Sequence, residues 1–276
     1  MRWRRLSTVT LIQLLLIGNT VVILYPMMMM GLSAFKSTRE IFRNPFGLPE
    51  VWSLANFVRV WEQTNFPLYF RNSVIVTAGS VALILVLGVM ASYALARYEF
   101  RGNELLYLFF LAGIMMPLKL AVIPLFIQLR AMGLTNTHLG LMCIYAAEGL
   151  PAAVFILTGF LRTLPRDLEN AARIDGASEF QILWSIMLPL VRPALVIVGI
   201  YNLVPVWNDF FFPLVFVQRE SLKTLPLGLT VFMGQYATDW AVLYAGLTIA
   251  ALPVIVLYVF LSRQFIAGLT AGAVKG

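Results

Sequence analysis

Long apolar runs recur along almost the whole of this sequence, and they constrain its fold more than any other feature. Each run reaches the length of about 20 residues that a helix needs to cross a bilayer. Backbone polar groups cannot face lipid unpaired, and the runs are too long for barrel strands, so they predict helices. We expect an all-α polytopic membrane protein, a single domain over 1–276 with six transmembrane helices, at residues 9–32, 72–96, 105–129, 139–161, 190–212 and 241–261.

The composition excludes several other classes of protein. Hydrophobic residues make up 60% of the chain and charged residues 12%, whereas about a quarter of an ordinary soluble domain is charged. A single Cys, Cys143, and a single His, His138, exclude a disulfide framework and a multi-cysteine or multi-histidine metal site. The net charge of +7 is scattered over short connecting segments. It therefore indicates membrane topology rather than nucleic-acid binding.

The basic residues also predict an orientation. They are denser in the segments that lie inside the cell if the amino terminus is inside. The first run follows Arg2, Arg4 and Arg5, as the core of a signal peptide would, but it continues past Gly18 without a small-residue cleavage pattern. We expect it to be a retained anchor.

The inner connection between the fourth and fifth runs, residues 162–189, carries the most local signals. Pro165 followed by the acidic residues Asp167 and Glu169 is typical of a helix start, where carboxylates meet the positive end of the helix dipole. Gly176 is typical of a helix end. The connection is therefore predicted to begin with a short helix.

A second short helix is predicted in the same connection. Ser178 and Gln181 form an S-x-x-Q capping box, which indicates a helix running from there to about Met187. The two helices together have too little apolar surface to span a membrane and too much structure for a plain linker. We expect this connection to carry function.

The motif in this connection resembles the EAA loop of permease subunits in binding-protein-dependent importers driven by an ATP-binding cassette. That motif is E-A-A, three residues, G, nine residues, then I-x-L-P, and the matching positions here are Ala171, Ala172, Gly176, Ile186, Leu188 and Pro189. The chain is similar to the carbohydrate branch, the MalG-like permeases of maltose-type importers, over roughly residues 5–270. Segments that carry this narrower likeness are 65–73, 132–141, 149–157, 172–177 with Pro193, and 207–216.

The resemblance implies the type I importer permease fold, in the inner membrane of a bacterial cell, with both termini in the cytoplasm. It implies as partners a second homologous permease subunit, an ATP-binding-cassette ATPase dimer, an extracytoplasmic solute-binding protein, membrane lipid and a carbohydrate substrate. The chain has no G-x-x-x-x-G-K-[ST] loop to hold phosphates. We therefore expect a transport subunit that is not an enzyme and holds no cofactor, with ATP and Mg bound by the ATPase.

In the family, the EAA loop forms a coupling helix that sits in a cleft on the ATPase. The corresponding ATPase-coupling residues are Glu169, Asn170, Ala171, Ala172, Arg173, Asp175 and Gly176. One position departs from the family, because Asn170 replaces the motif Glu and Glu169 stands just before it, about 100° away around a helix. The contact with the ATPase either becomes a neutral hydrogen bond or passes to Glu169.

Two ionisable residues fall deep in predicted spans and need partners there. Lys119 lies ten residues before the end of the third span and Glu148 nine after the start of the fourth, so both should lie roughly 14 Å from the same membrane face. An ion pair between these two residues fits this depth. A role in the substrate path also fits, and Lys119 would then favour an anionic solute. The residues predicted for the substrate path are Lys119, Glu148, Asn202, Asn208 and Asp209.

A stand-alone secondary transporter or channel is the alternative function. It would need an inverted repeat or a proton relay, and six runs with one dominant inner loop indicate neither. A membrane-embedded enzyme is a further class, and no catalytic cluster stands out in the sequence. The second permease subunit is either a different homologous chain or a second copy of this one.

Overall fold

The computed structural model describes residues 2–62, 64–234 and 238–273, and the side chains of 9–62, 64–234 and 238–260. Within these ranges the regular structure is helical, with no β-strand beyond one isolated bridge between Met233 and Thr238. The helices are α1 (Arg2–Ser33), α2 (Thr38–Arg43), α3 (Ala55–Glu62), α4 (Phe66–Arg97), α5 (Asn103–Ile114), α6 (Val122–Ala131), α7 (His138–Thr163), α8 (Asp167–Ile174), α9 (Glu179–Leu190), α10 (Arg192–Asn208), α11 (Phe211–Phe216), α12 (Leu225–Gly228) and α13 (Trp240–Ala273). Short 3-10 turns cover Leu118–Ala121, Glu220–Leu222 and Leu229–Phe232.

Four helices are each long and apolar enough to cross a membrane, namely α1, α4, α7 and α13. They contain the predicted runs 9–32, 72–96, 139–161 and 241–261. The most apolar stretch of α1 has no residue buried inside the chain, while half of the corresponding stretch of α7 is buried. The all-α membrane fold predicted from the sequence is confirmed.

The third predicted span is bent, and a second bend lies where the inner connection enters the fifth predicted span. α5 meets the segment Leu118–Ala131 at 87°, and α9 meets α10 at 77°. The first bend lies at Pro117, which has extended backbone and no N–H to donate to a helix. At the second bend Pro193 lies in the first turn of α10, where a missing N–H is harmless. If each bent pair is one span, the described residues contain six candidate spans.

Residue contacts divide the chain into two compact units. The first consists of Met1–Pro67 and Gly228–Pro253, and the second of Leu68–Leu227 and Val254–Gly276. The expectation of a single domain over 1–276 stays a prediction.

The first unit is held by one polar contact within the segment after α1 and by another to the start of α13. Lys36 is buried, and its Nζ donates to the carbonyl of Asn44 at 2.8 Å. Arg59 Nη2 lies 2.6 Å from Asp239 Oδ2. These contacts order the segment between α1 and α4 together with the start of α13.

The second unit contains two buried apolar clusters. One cluster joins α4 and α7 to α8, α9 and α10. The other joins α4 and α7 to α6, α10 and α11. The connection at 162–189 is therefore packed on the helices of this unit rather than being a free loop, because α8 contributes Ala172 to the first cluster.

Candidate functional site

Helix α8 forms where the sequence predicts the first short helix of the inner connection. Two acidic residues, Asp167 and Glu169, lie in its first turn. It ends at Ile174, and Gly176, two residues later, has a φ of 81° that favours glycine. The amides of Gly176 and Ala177 donate to the carbonyls of Arg173 and Ala172 at 3.1 and 2.9 Å, which is the Schellman pattern. The glycine stop is confirmed.

Helix α9 begins with the predicted capping box. The Ser178 hydroxyl accepts from the Gln181 amide at 3.3 Å, and the Gln181 side chain accepts from the Ser178 amide at 2.8 Å. The helix runs to Leu190, three residues beyond the predicted end, and Ile182–Met187 is π-helical.

The outer surface of α8 presents both polar and apolar side chains. Asn170, Ala171, Arg173, Asp175 and Gly176 are exposed, and the side chain of Ile174 is 86% exposed. Two of the predicted coupling residues, Glu169 and Ala172, are instead buried. They face the rest of the unit.

The burial of Glu169 corrects one of the two expectations for this residue. Its Oε1 lies 2.6 Å from Nε of Arg97, the last residue of α4, and both side chains are almost completely buried. Glu169 therefore cannot take over a contact with an outside partner. Sequence reasoning missed Arg97 because two charges far apart in sequence give no local sign of pairing. The one available signal was its position at the end of a predicted span.

Arg173 links α8 to the start of α9. Its Nε donates to Glu179 Oε1 at 2.7 Å, and its Nη1 donates to Asn170 Oδ1 at 3.1 Å. Tyr98 adds a hydroxyl donor to Glu179 Oε2 at 2.9 Å. The hydrogen bond from Arg173 lowers the pKa of Glu179 to about 2, and Tyr98 acts in the same direction, so Glu179 is ionised at neutral pH.

A second polar cluster joins the turn in the middle of the bent third span to the end of α10, and it corrects the predicted pairing of Lys119. Lys119 Nζ lies 3.6 Å from Asp209 Oδ1, and the structure gives no ion pair between Lys119 and Glu148. Equal depths for the two charges require a straight third span, but Lys119 lies in the 3-10 turn after the bend at Pro117. Counting residues along one helix axis therefore misplaces its charge.

Asp209 terminates α10 and accepts two hydrogen bonds besides its contact with Lys119. The hydroxyl of Tyr145 and the amide of Phe212 donate to its Oδ2 at 2.9 and 3.0 Å. Tyr145 is buried in α7, so this carboxylate connects α7, α10 and the turn that carries Lys119.

A cavity of about 420 Å³ brings Lys119 and Glu148 onto one surface with Tyr201. Asn202 and Asn208, also predicted for the substrate path, do not line it. Asn202 is buried in α10 and donates to its own helix at the Val198 carbonyl, at 2.9 Å. Asn208 is exposed at the last residue of α10.

Comparison with known protein families identifies the chain. The family described as "Binding-protein-dependent transport system inner membrane component" matches residues 84–266. The chain belongs to this family. It is therefore the permease component of a transport system, and the resemblance drawn from the EAA motif is confirmed. A stand-alone transporter or channel, the alternative left by the sequence, does not fit this membership.

Relatives of this permease match over nearly its whole length. The diacetylchitobiose uptake system permease protein NgcG of Streptomyces coelicolor is 37% identical over 263 residues, which cover 95% of this chain and 87% of NgcG. The arabinooligosaccharides transport system permease protein AraQ of Halalkalibacterium halodurans is 35% identical over 256 residues, which cover 91% of each chain.

A solved structure supports the fold of this permease. A chain of a bacterial ABC transporter involved in the import of the acidic polysaccharide alginate matches with a TM-score of 0.83 at 22% identity, covering 94% of this chain and 97% of that one. At this identity the match establishes the importer permease fold and nothing about the solute.

Proposed function

We propose that this permease forms, with a second homologous permease, the membrane pathway of an ATP-driven carbohydrate importer. A solute-binding protein delivers the sugar from outside, and an ATPase dimer drives transport by alternating access. The names of the relatives, which are permeases for diacetylchitobiose and arabinooligosaccharides, support the solute class.

The outer surface of α8 is the observation that carries the proposal. Helix α8 is fixed at its end by the Gly176 turn and docked on the core through Ala172. It nevertheless leaves Ile174 almost fully exposed among polar residues. Because Ile174 lies within the family's coupling motif, its exposed side chain suits a docking cleft on the ATPase. A rigid helix transmits a partner's movement that a flexible loop would absorb.

Asn170 takes the place of the family's motif Glu at this contact. It is exposed, and its Oδ1 already accepts from Arg173. Its amide group therefore remains as a donor, so the contact with the ATPase at this position is a neutral hydrogen bond.

The substrate path runs past the cavity that holds Lys119, Glu148 and Tyr201. Charges in a membrane span are costly unless they face water or a protein partner, which supports a path or subunit interface at this surface. Asp209 balances the positive charge of Lys119. Glu148, as a carboxylic acid, cannot supply another positive charge. The cavity therefore gives no preference for an anionic solute, in contrast to the expectation for an unpaired Lys119.

The proposal also includes where ATP binds and which side of the membrane the connection and the termini occupy. ATP and Mg bind to the partner ATPase, and no cofactor is needed in this permease. The connection at 162–189 and both termini lie on the cytoplasmic side of a bacterial inner membrane.

We expect Ile174→Asp to weaken the retention of the ATPase. A charge placed in an apolar cleft costs about 1.4 kcal/mol or more, which reduces the affinity about tenfold. The measurement is co-purification of the ATPase with tagged permease, at several ATPase concentrations. Leu48→Asp is the matched control, because Leu48 is 67% exposed outside the inner connection. Equal ATPase retention by Ile174→Asp and the control would contradict the docking surface.

A further inference from the structure

Arg97 holds the coupling helix α8 at two points. Its Nε lies 2.6 Å from Glu169 Oε1 in a buried ion pair, a contact between charges that does not have the geometry of a hydrogen bond. Its Nη1 and Nη2 both donate to the carbonyl of Leu164, each at 3.2 Å, just before α8 begins. Since Arg97 is the last residue of α4, the end of a spanning helix is attached both to α8 and to the chain that enters it.

The ion pair lies at the edge of an apolar cluster rather than in solvent. The two side chains are 4% and 3% exposed. Desolvating two charges offsets most of their attraction, so a pair like this is weak evidence for stability and can instead fix one geometry. Its rigid, planar guanidinium makes Arg97 suited to such a role.

The same charge network continues from α8 to α9. Arg173 Nη2 lies 3.7 Å from Glu169 Oε2, and its Nε lies 2.7 Å from Glu179 Oε1. The hydroxyl of Tyr93, on α4, donates to Glu179 Oε2 at 3.3 Å. Helix α8 is thus connected to α4 through Arg97 and to α9 through Arg173.

We infer that Arg97 and Glu169 are positioning residues that form a joint between the coupling helix and the cytoplasmic end of α4. Movement of α8 is transmitted to α4 through this joint, and Arg173 and Glu179 extend it to α9. The inference rests on the proposed function, because it assumes that the ATPase moves α8. It also assigns the two neighbouring positions opposite roles, with Glu169 facing inward to the permease and Asn170 facing outward to the ATPase.

The test replaces the pair without leaving an unpaired buried charge. In Arg97→Met with Glu169→Leu, apolar side chains of similar size fill the site, a change that is often neutral or stabilising. We expect the complex to assemble, with a small fall in Tm because the Leu164 carbonyl loses its hydrogen bonds from Arg97. Solute taken up per ATP hydrolysed in proteoliposomes is expected to fall about fivefold or more. Arg97→Lys, which keeps the charge but loses the planar fork, is expected to show a smaller loss in the same direction.

A matched control exists in the same two segments. Arg166 Nη1 and Glu99 Oε1 form a pair at 3.4 Å whose side chains are 58% and 86% exposed. Exposed pairs contribute little, so Arg166→Gln with Glu99→Gln is expected to transport as the wild type does.

The joint would be overturned if the double variant, Arg97→Met with Glu169→Leu, took up as much solute per ATP as the wild type. If the double variant does not assemble, wild-type uptake per ATP by Arg97→Lys would overturn the joint instead. The failure of the proposed function looks different, since the wild-type complex itself would then show no ATP-dependent uptake.

Discussion

Asp209 gathers three groups around one carboxylate. Lys119 approaches Oδ1, while the Tyr145 hydroxyl and the Phe212 amide donate to Oδ2. The Asp209 side chain is only 10% exposed, so its charge needs compensation within the protein. At the scale of the residue, Lys119 is first of all the counter-charge of Asp209.

Lys119→Met removes that counter-charge and leaves a nearly buried carboxylate. Because Lys119 itself is more than half exposed, we expect a modest effect, a fall in Tm of about 2 °C for the purified complex. Adding Asp209→Asn is expected to recover most of the loss, since residues in contact are energetically coupled. Thermal unfolding of the wild type, both single variants and the double variant measures the coupling. Strictly additive shifts would contradict the pair.

At the scale of the element, Gly176 decides where α8 ends. Its φ of 81° is costly for other residues, yet a Cβ added there would meet no atom within 4 Å. A substitution therefore acts through backbone strain and not through a clash. The strain for an L residue is about 1 to 2 kcal/mol.

Gly176→Val is expected to lower solute uptake while the permease still inserts and assembles, because the turn that fixes α8 is deformed. Gly176→Asn should retain more uptake, since Asn tolerates this conformation better. Gly159→Ala in α7 is the control, because it adds a Cβ in equally open space at an ordinary φ. Uptake assays in proteoliposomes provide the measurement. Wild-type uptake by Gly176→Val would count against the role of α8 in coupling.

The elements that were predictable from the sequence are those specified locally. The Gly176 stop and the Ser178–Gln181 capping box depend on residues a few positions apart, and both form as predicted. The bend at Pro117 was not predicted. A proline can break a helix, but Pro151 and Pro253 lie inside continuous helices of this chain, so a proline alone does not show which apolar run is broken. The burial of Glu169 depends on Arg97, which reaches it only through the packing of α4 against α8.

At the scale of the whole molecule, the scarcity of charge makes the charged exceptions informative. Only 12% of the residues are charged, and two charge pairs join elements that are distant in sequence. Arg97 with Glu169 joins the end of α4 to α8, and Lys119 with Asp209 joins the turn after Pro117 to the end of α10. The family match identifies the whole molecule as the permease component of a binding-protein-dependent transport system.

The central claim is that this chain transports only as a permease coupled to an ATPase. The most direct measurement is uptake of a labelled oligosaccharide, diacetylchitobiose as the first probe, into proteoliposomes that contain either the permease alone or the complex with its second permease, ATPase and solute-binding protein. We predict that the complex takes up the labelled oligosaccharide when ATP is present and that this solute stimulates ATP hydrolysis. We predict no uptake by the permease alone. Uptake by the chain alone, driven by a solute or ion gradient, would contradict the account.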